Sequence, residues 1–259
     1  MLGRMRGFSR EEHRSLEEDG YVNVGRVLEP AELAEIRTEY DRLVTAEKQT
    51  LGNDTDGRFP YRAMLNFRSD VLKRYISHSA FCGLAMDRLG PDLRFWWDQG
   101  INKQPGSGSH IDWHQDNGYG DGQVPEYLTF WLALDDSDLE NGGLLVIPGS
   151  HLAGPREHRL EGVHWVIPDI DESPARALDA RAGDLLIFSS LLIHKTVGNH
   201  TADRDRRAWV IQYIAADARD EANGRAYEER PRVTLEGAIL PELLVERPFS
   251  LTDKANRSA

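Results

Sequence analysis

Gly106-Ser107-Gly108-Ser109-His110-Ile111-Asp112-Trp113-His114-Gln115-Asp116-Asn117-Gly118-Tyr119-Gly120 is the stretch around which the rest of the chain is read. A histidine and a carboxylate stand two residues apart between two segments rich in small and polar residues. On an extended strand, residues i and i+2 project from one face, so the His114 imidazole and the Asp116 carboxylate are expected to share one space. One further histidine from a distant strand completes a two-His-one-carboxylate facial triad. That donor set holds ferrous iron on one side and leaves positions open on the other.

Working outward, the period of the chain changes near residue 92. Phe95-Trp96-Trp97, Glu126 to Leu134, Leu144 to Ile147, Leu185 to Phe188 and Arg206 to Ile214 are short β-type runs, separated by turns such as Glu140-Asn141-Gly142-Gly143 and Ile147-Pro148-Gly149-Ser150. Before them the pattern is helical. Ser9 with Glu12 forms a capping-box signature, Gly20 ends that helix, and Tyr21 to Val24 reads as a strand. Pro30 opens a second helix with Leu33, Ile36, Tyr40, Leu43 and Val44 on its apolar face, and Phe81, Leu84, Ala85 and Leu89 mark another before Gly90. Residues 49–68 lack a period and read as a surface excursion. Residues 151–183 form a long connection of the kind that often serves as an active-site lid. Helices followed by many short strands predict a mainly β fold, a sandwich or jelly-roll barrel with flanking helices. With no internal repeat or low-complexity linker, residues 1–259 are expected to form one domain, with a helical part about 9–90, a β core about 92–215 and an extension about 216–259.

The bulk numbers narrow the function classes. A formal net charge of −12 without a basic cluster argues against a nucleic-acid partner. Cys82 is the only cysteine, which excludes an internal disulfide framework and any site built from several thiolates, and fits a reducing cytoplasm. Neither a transmembrane run nor a targeting segment stands out, so a cytoplasmic protein acting on a small molecule is expected, with no membrane partner. Arginine outnumbers lysine about fivefold, as high-GC codon usage produces.

His194 follows the apolar run Leu191-Leu192-Ile193 and is the best candidate for the third ligand, although a histidine there also suits a core or capping role. Arg206, Ala208, Val210 and Gln212 share a strand face. An arginine aimed into a barrel needs a carboxylate, because a buried unpaired guanidinium is costly; the competing reading is a surface arginine beside Arg204 and Arg207.

These residues, in order, carry a family likeness. His114-Gln115-Asp116, Trp131-Leu132-Ala133-Leu134-Asp135, Glu140-Asn141-Gly142-Gly143-Leu144, Pro148-Gly149-Ser150-His151, Gly183-Asp184 and the segment His194 to Asn199 together resemble the phytanoyl-CoA dioxygenase-like family. These are Fe(II)- and 2-oxoglutarate-dependent oxygenases on a double-stranded β-helix. Asp19-Gly20-Tyr21-Val22 is similar to the family's N-terminal element, and the likeness ends near residue 215.

The resemblance implies that His114, Asp116 and His194 ligate the iron and that Arg206 pairs with the distal carboxylate of 2-oxoglutarate, with O2 as the second cosubstrate. Thr196 would donate to the same carboxylate, and Trp131 and Gln99 would line the pocket. The spacing from His194 to Arg206 is one residue longer than the family pattern, which leaves Arg204 and Arg207 as alternatives. Halogenating relatives carry Gly or Ala at the position of Asp116, so the carboxylate points to oxygenation or another oxidative outcome.

Trp113, Asn117 and Tyr119 flank the ligands and are the leading substrate-wall candidates, followed by His110 and by His158, His164 and Trp165 of the long connection. His151 and Cys82 read as structural residues. The substrate expected is a natural-product intermediate, in antibiotic-type biosynthesis, with a sugar-bearing or polyhydroxylated compound as the working reading. Two other classes stay open: a cupin-like metal enzyme that does not use 2-oxoglutarate, and a non-catalytic binding protein on the same fold.

Overall fold

The computed structural model describes residues 5–51, 61–118, 124–162 and 164–246. Four helices come first: α1 (Arg10–Glu18), α2 (Pro30–Leu51), α3 (Asp70–Ile76) and α4 (Ser79–Leu89), with strand β1 (Tyr21–Arg26) between the first two. Ser9 and Glu12 close the expected capping box on α1, a feature worth about 1 kcal/mol. Pro30 begins α2, where its missing N–H costs nothing.

Residues 61–68 are not a surface excursion. Tyr61–Ala63 forms β2 against β3 (Leu93–Lys103), and Leu65 and Asn66 are buried in the turn that follows. Residues 52–60 lie outside the described residues.

Two antiparallel sheets face one another, the jelly-roll arrangement. The larger runs β1-β10-β5-β12-β3-β13-β14, with β2 also on β3. Its further strands are β5 (Leu128–Ala133), β10 (Asp184–Ser189), β12 (Arg206–Ala215), β13 (Arg232–Leu235) and β14 (Ala238–Leu244). The smaller sheet runs β4-β11-β6-β9, from β4 (Ile111–His114), β11 (His194–Thr196), β6 (Leu144–Val146) and β9 (Arg176–Leu178). The extension after residue 215 therefore adds β13 and β14 to the larger sheet. The connection at 151–183 carries structure of its own, a hairpin of β7 (Arg159–Glu161) and β8 (His164–Val166) followed by β9.

Strand alternation sorts the larger sheet into two faces. Leu128, Phe130, Leu132, Leu185, Ile187, Trp209, Ile211 and Tyr213 point to the helices and form the main core with Ile36, Tyr40, Phe81 and Leu84. Cys82 is fully buried in this cluster. The opposite face, with Ile101, Trp131, Ala133, Leu186, Phe188, Ala208 and Val210, meets Leu144, Val146 and Leu192 between the sheets. Among the described residues no helix is long and apolar enough to cross a membrane.

Candidate active site

The ladder between β4 and β11 sets His194 directly opposite His114. Asp116 is not on that strand: β4 ends at His114, and Asp116 opens a 3-10 turn, Asp116–Gly118. The turn swings the carboxylate back over the two imidazoles. Asp116 Oδ1 lies 3.8 Å from His114 Nε2 and 3.6 Å from His194 Nε2. One ligand atom from each of the three residues falls within 4.8 Å of the others.

Each imidazole is oriented by its other nitrogen. His114 Nδ1 is 2.7 Å from Asp112 O, and His194 Nδ1 is 3.0 Å from Leu192 O. A backbone carbonyl only accepts, so Nδ1 carries a proton in both rings and Nε2 is the atom turned to the shared space. Burial, and then the neighbouring His194, hold the His114 imidazole well below its ordinary value, which keeps it neutral. Asp116 Oδ2 accepts from the Thr129 hydroxyl and, at 3.0 Å, from Gln212 Nε2. That leaves Oδ1 turned toward the histidines. Two imidazoles oriented through their Nδ1 atoms and one oriented carboxylate match the donor set of non-haem Fe(II).

Of the three neighbouring arginines, only Arg206 enters the barrel. Arg204 pairs with Asp138 and Glu140, and Arg207 with Asp135 and Asp41, both toward solvent. Arg206 is fully buried; its Nη2 donates to Gly142 O at 2.7 Å, while Nε and Nη1 meet no partner. The Trp131 ring lies 5.6 Å from its guanidinium carbon, and the buried Trp131 Nε1 also lacks a partner. Buried donors without acceptors are rare and point to a ligand that supplies oxygen atoms.

Lys103 is the residue that sequence reasoning missed. It faces Arg206 across the β3–β12 ladder with no exposed surface. Its Nζ donates to Thr196 Oγ1 at 2.8 Å and to Val197 O. Burial, and then Arg206, push the ammonium down to about 6. Thr196, whose oxygen accepts from Lys103, still has its hydroxyl proton to offer. Gly142 closes this end of the pocket at φ +96°, and a Cβ there would lie 2.7 Å from Lys103 Cδ, so no larger residue fits. The only sequence signal was parity: Gln99, Ile101 and Lys103 alternate along β3 as Val210, Ala208 and Arg206 do along β12.

Thr196 follows His194 by two residues, about 7 Å along the strand. Lys103 thus reaches β11 two residues beyond the ligand His194. Gln99 is half-buried on the same inner face and accepts from Trp97 Nε1 at 3.4 Å.

The other predicted wall residues divide. Asn117 is buried beside Asp116, and neither Nδ2 nor Oδ1 of its amide has a partner. Trp113 does not face the site: its neighbours are Ile167 and Ile193, with the Lys195 ammonium 4.6 Å from its ring, because alternation turns it away from His114. His110 is also elsewhere, exposed 3.6 Å from Asp112 and lining a surface pocket with Lys195 and His200. His164 and Trp165 are half-buried on β8, with His164 held below its ordinary value by burial and by His110. His158 meets the Gln115 backbone at 2.9 Å. His151 is buried against Gly20, a packing role. Tyr119 lies outside the described residues.

Comparison with known proteins gives a consistent picture. The family model for phytanoyl-CoA dioxygenase (PhyH) matches residues 16–208. A phytanoyl-CoA dioxygenase of Arabidopsis thaliana is 30% identical over 122 residues, covering 45% of this chain and 43% of that protein. The chain thus spans under half the length of that relative. An ectoine dioxygenase of Nocardia farcinica is 27% identical over 74% of this chain and 73% of its own length. Among solved structures, the non-haem alpha-ketoglutarate-dependent carbocyclase SnoK of nogalamycin biosynthesis superposes with a TM-score of 0.67 at 28% identity, covering 82% of this chain and 86% of its own. The non-haem monooxygenase ThoJ gives 0.71 at 27% identity over 93% and 90%.

Proposed function

Because the chain belongs to the phytanoyl-CoA dioxygenase (PhyH) family, we propose that it is an Fe(II)- and 2-oxoglutarate-dependent dioxygenase that oxidises an unactivated C–H bond of a small molecule. The observation that carries this reading is a pair of chemically matched clusters that share the strand β11. In one, His114, Asp116 and His194 converge within 4.8 Å. In the other, Arg206 and Lys103 are buried with no carboxylate of the described chain paired to either. A cupin-like enzyme without 2-oxoglutarate has no use for a buried guanidinium, which costs several kcal/mol to desolvate, beside a buried lysine.

His114, Asp116 and His194 hold the metal. Fe(II) bound there supplies the oxidising chemistry, consuming 2-oxoglutarate and O2 and releasing succinate and carbon dioxide. Arg206, Lys103 and the Thr196 hydroxyl bind the distal carboxylate and fix which way the cosubstrate lies. Trp131 closes one side of that pocket and Gln99 another. Thr129 and Gln212 hold Asp116 Oδ2, so the carboxylate keeps one oxygen for the metal. A carboxylate at position 116 leaves no open place for a halide, which favours oxygenation, desaturation or oxidative ring closure.

The substrate is read as a natural-product intermediate, possessing hydroxyl or carbonyl groups such as those of an attached sugar. The unpartnered amide of Asn117, the residue after Asp116, supports a polar substrate, and on this reading His164 and Trp165 of the β7–β8 hairpin would flank its approach. SnoK, a carbocyclase of nogalamycin biosynthesis, supports the tailoring context. The helical part, the barrel and the C-terminal strands act as one oxygenase domain.

The test is succinate release from 2-oxoglutarate by the Fe(II)-loaded protein, screened against glycosylated and aglycone natural-product intermediates. The reading expects substrate-dependent succinate at a one-to-one ratio with an oxidised product, and a preference for glycosylated members. Turnover of a compound without any consumption of 2-oxoglutarate would contradict it.

A further inference from the structure

Gln115 stands between His114 and Asp116 in the sequence and is fully buried. Its side chain is engaged on two segments far away in the chain. Nε2 donates to Leu191 O at 2.6 Å and to Gly154 O at 3.0 Å, and Oε1 accepts from Arg156 N at 2.8 Å. Its backbone N–H donates to His158 Nε2 at 2.9 Å, and His158 Nδ1 lies 2.8 Å from Arg156 O. An N–H donor on Nε2 and a carbonyl acceptor at Nδ1 together fix one neutral tautomer of His158.

The His158 ring also fills the place where residue 118 would carry a side chain. A Cβ on Gly118 would come within 2.1 Å of His158 Cε1. Gly118 closes the turn that presents Asp116, so the ring lies against the element that aims the metal-binding carboxylate. One residue after His158 the β7–β8 hairpin begins.

We infer that His158 is a positioning residue for the metal site: by seating its ring on Gly118 and accepting the Gln115 amide, it fastens the Gly154–His158 segment to the turn carrying Asp116, so that metal geometry and hairpin position are set together. The inference rests on the metal-site reading proposed above. Gly118 has no left-handed backbone angle, and the three atoms nearest to a Cβ there all belong to the His158 ring.

Two variants remove the contact by different chemistry. His158→Ala deletes the ring, whereas Gly118→Ala keeps it and displaces it. A third, His158→Gln, retains a neutral acceptor for the Gln115 amide. The probe is Co(II) alone, titrated calorimetrically into the metal-free 259-residue chain, with circular dichroism to verify folding and hydrogen exchange to follow residues 154–166. His158→Ala and Gly118→Ala are both expected to weaken Co(II) binding about 10- to 100-fold, the range for groups that orient a metal ligand, and to speed exchange across 154–166. His158→Gln should recover most of the affinity.

Wild-type Co(II) affinity in His158→Ala and Gly118→Ala, with faster exchange, overturns the inference, because the segment would then be held without reaching the metal. Unchanged exchange overturns it too. Should His158→Ala fail to fold, Gly118→Ala and His158→Gln give the same decision. Failure of the wild type itself to bind Co(II) would instead bring down the metal-site reading.

Discussion

Arg206 and Lys103 are direct cross-strand partners on β12 and β3, and neither has any exposed surface. A buried guanidinium beside a buried lysine whose protonation it opposes has left water at a cost that a folded chain sustains only where something negative completes the site. Thr196 Oγ1 and the carbonyls of Val197 and Gly142 supply dipoles, not charge. On the proposed reading, a carboxylate brought in by the cosubstrate would complete the arrangement.

Arg206→Ala is expected to weaken 2-oxoglutarate binding by roughly 30-fold or more, the scale for truncating one partner of a buried charge pair. Affinity for 2-oxopentanoate, which lacks the distal carboxylate, should change only a few-fold. Anaerobic calorimetry with both 2-oxo acids on the Fe(II)-loaded protein checks this. Equal losses for the two compounds would place Arg206 outside the carboxylate pocket.

Lys103 predicts a proton linkage. Burial and Arg206 push its ammonium down to about 6, so at pH 8 the side chain is mainly neutral before cosubstrate arrives. A bound carboxylate favours the charged form and raises that value. Binding should therefore take up as much as one proton, and affinity should fall as pH rises above about 6 through the raised value of the complex. Calorimetry at pH 8 in two buffers of different ionisation heat measures the uptake, expected to vanish in Lys103→Met. For folding without ligand the sign is the following: between about pH 6 and the ordinary lysine range the unfolded chain binds the proton that the folded chain lacks. Stability from this group thus rises with pH across that window.

Thr129→Val removes the hydroxyl that holds Asp116 Oδ2 while keeping the shape of the side chain. Metal affinity should drop about 10-fold or more, with little change in melting temperature. Co(II) titration beside a thermal melt separates the two effects, and unaltered metal affinity would mean that Gln212 alone orients the carboxylate.

Trp113→Ala should destabilise the fold by about 3–5 kcal/mol, as expected for a buried aromatic, with metal and cosubstrate affinities retained in the folded fraction. Denaturant unfolding measures the first and calorimetry the second. A selective loss of cosubstrate affinity would return Trp113 to the site.

Much of the site was legible because its chemistry is carried by residue types at fixed offsets. His114 and Asp116 are two apart, and His194 closes an apolar run; Arg206, Ala208, Val210 and Gln212 keep one parity along a strand, and the register bears that alternation out. The capping box and Pro30 were legible for the same reason, since both act within one turn of chain. Parity also held the answer for Trp113, which must face away from His114, but proximity in sequence suggested the opposite. What could not be read was whatever depends on a second segment. Lys103 looks like an ordinary strand-end lysine until β11 brings Thr196 to its Nζ. Asp116 sits in a turn past the strand end, where Thr129 and Gln212 reach it from other strands, and His158 finds Gln115 from 43 positions away.

The central claim is that one pocket joins a metal triad to a carboxylate anchor. It is tested most directly by anaerobic titration of the metal-free protein with Fe(II) and 2-oxoglutarate, following the visible charge-transfer band of the chelated cosubstrate, in wild type, His194→Ala and Arg206→Ala. The account predicts a band in the wild type, its loss in His194→Ala, and a band in Arg206→Ala that needs far more 2-oxoglutarate. Bound Fe(II) in the wild type with no band at saturating 2-oxoglutarate would contradict it.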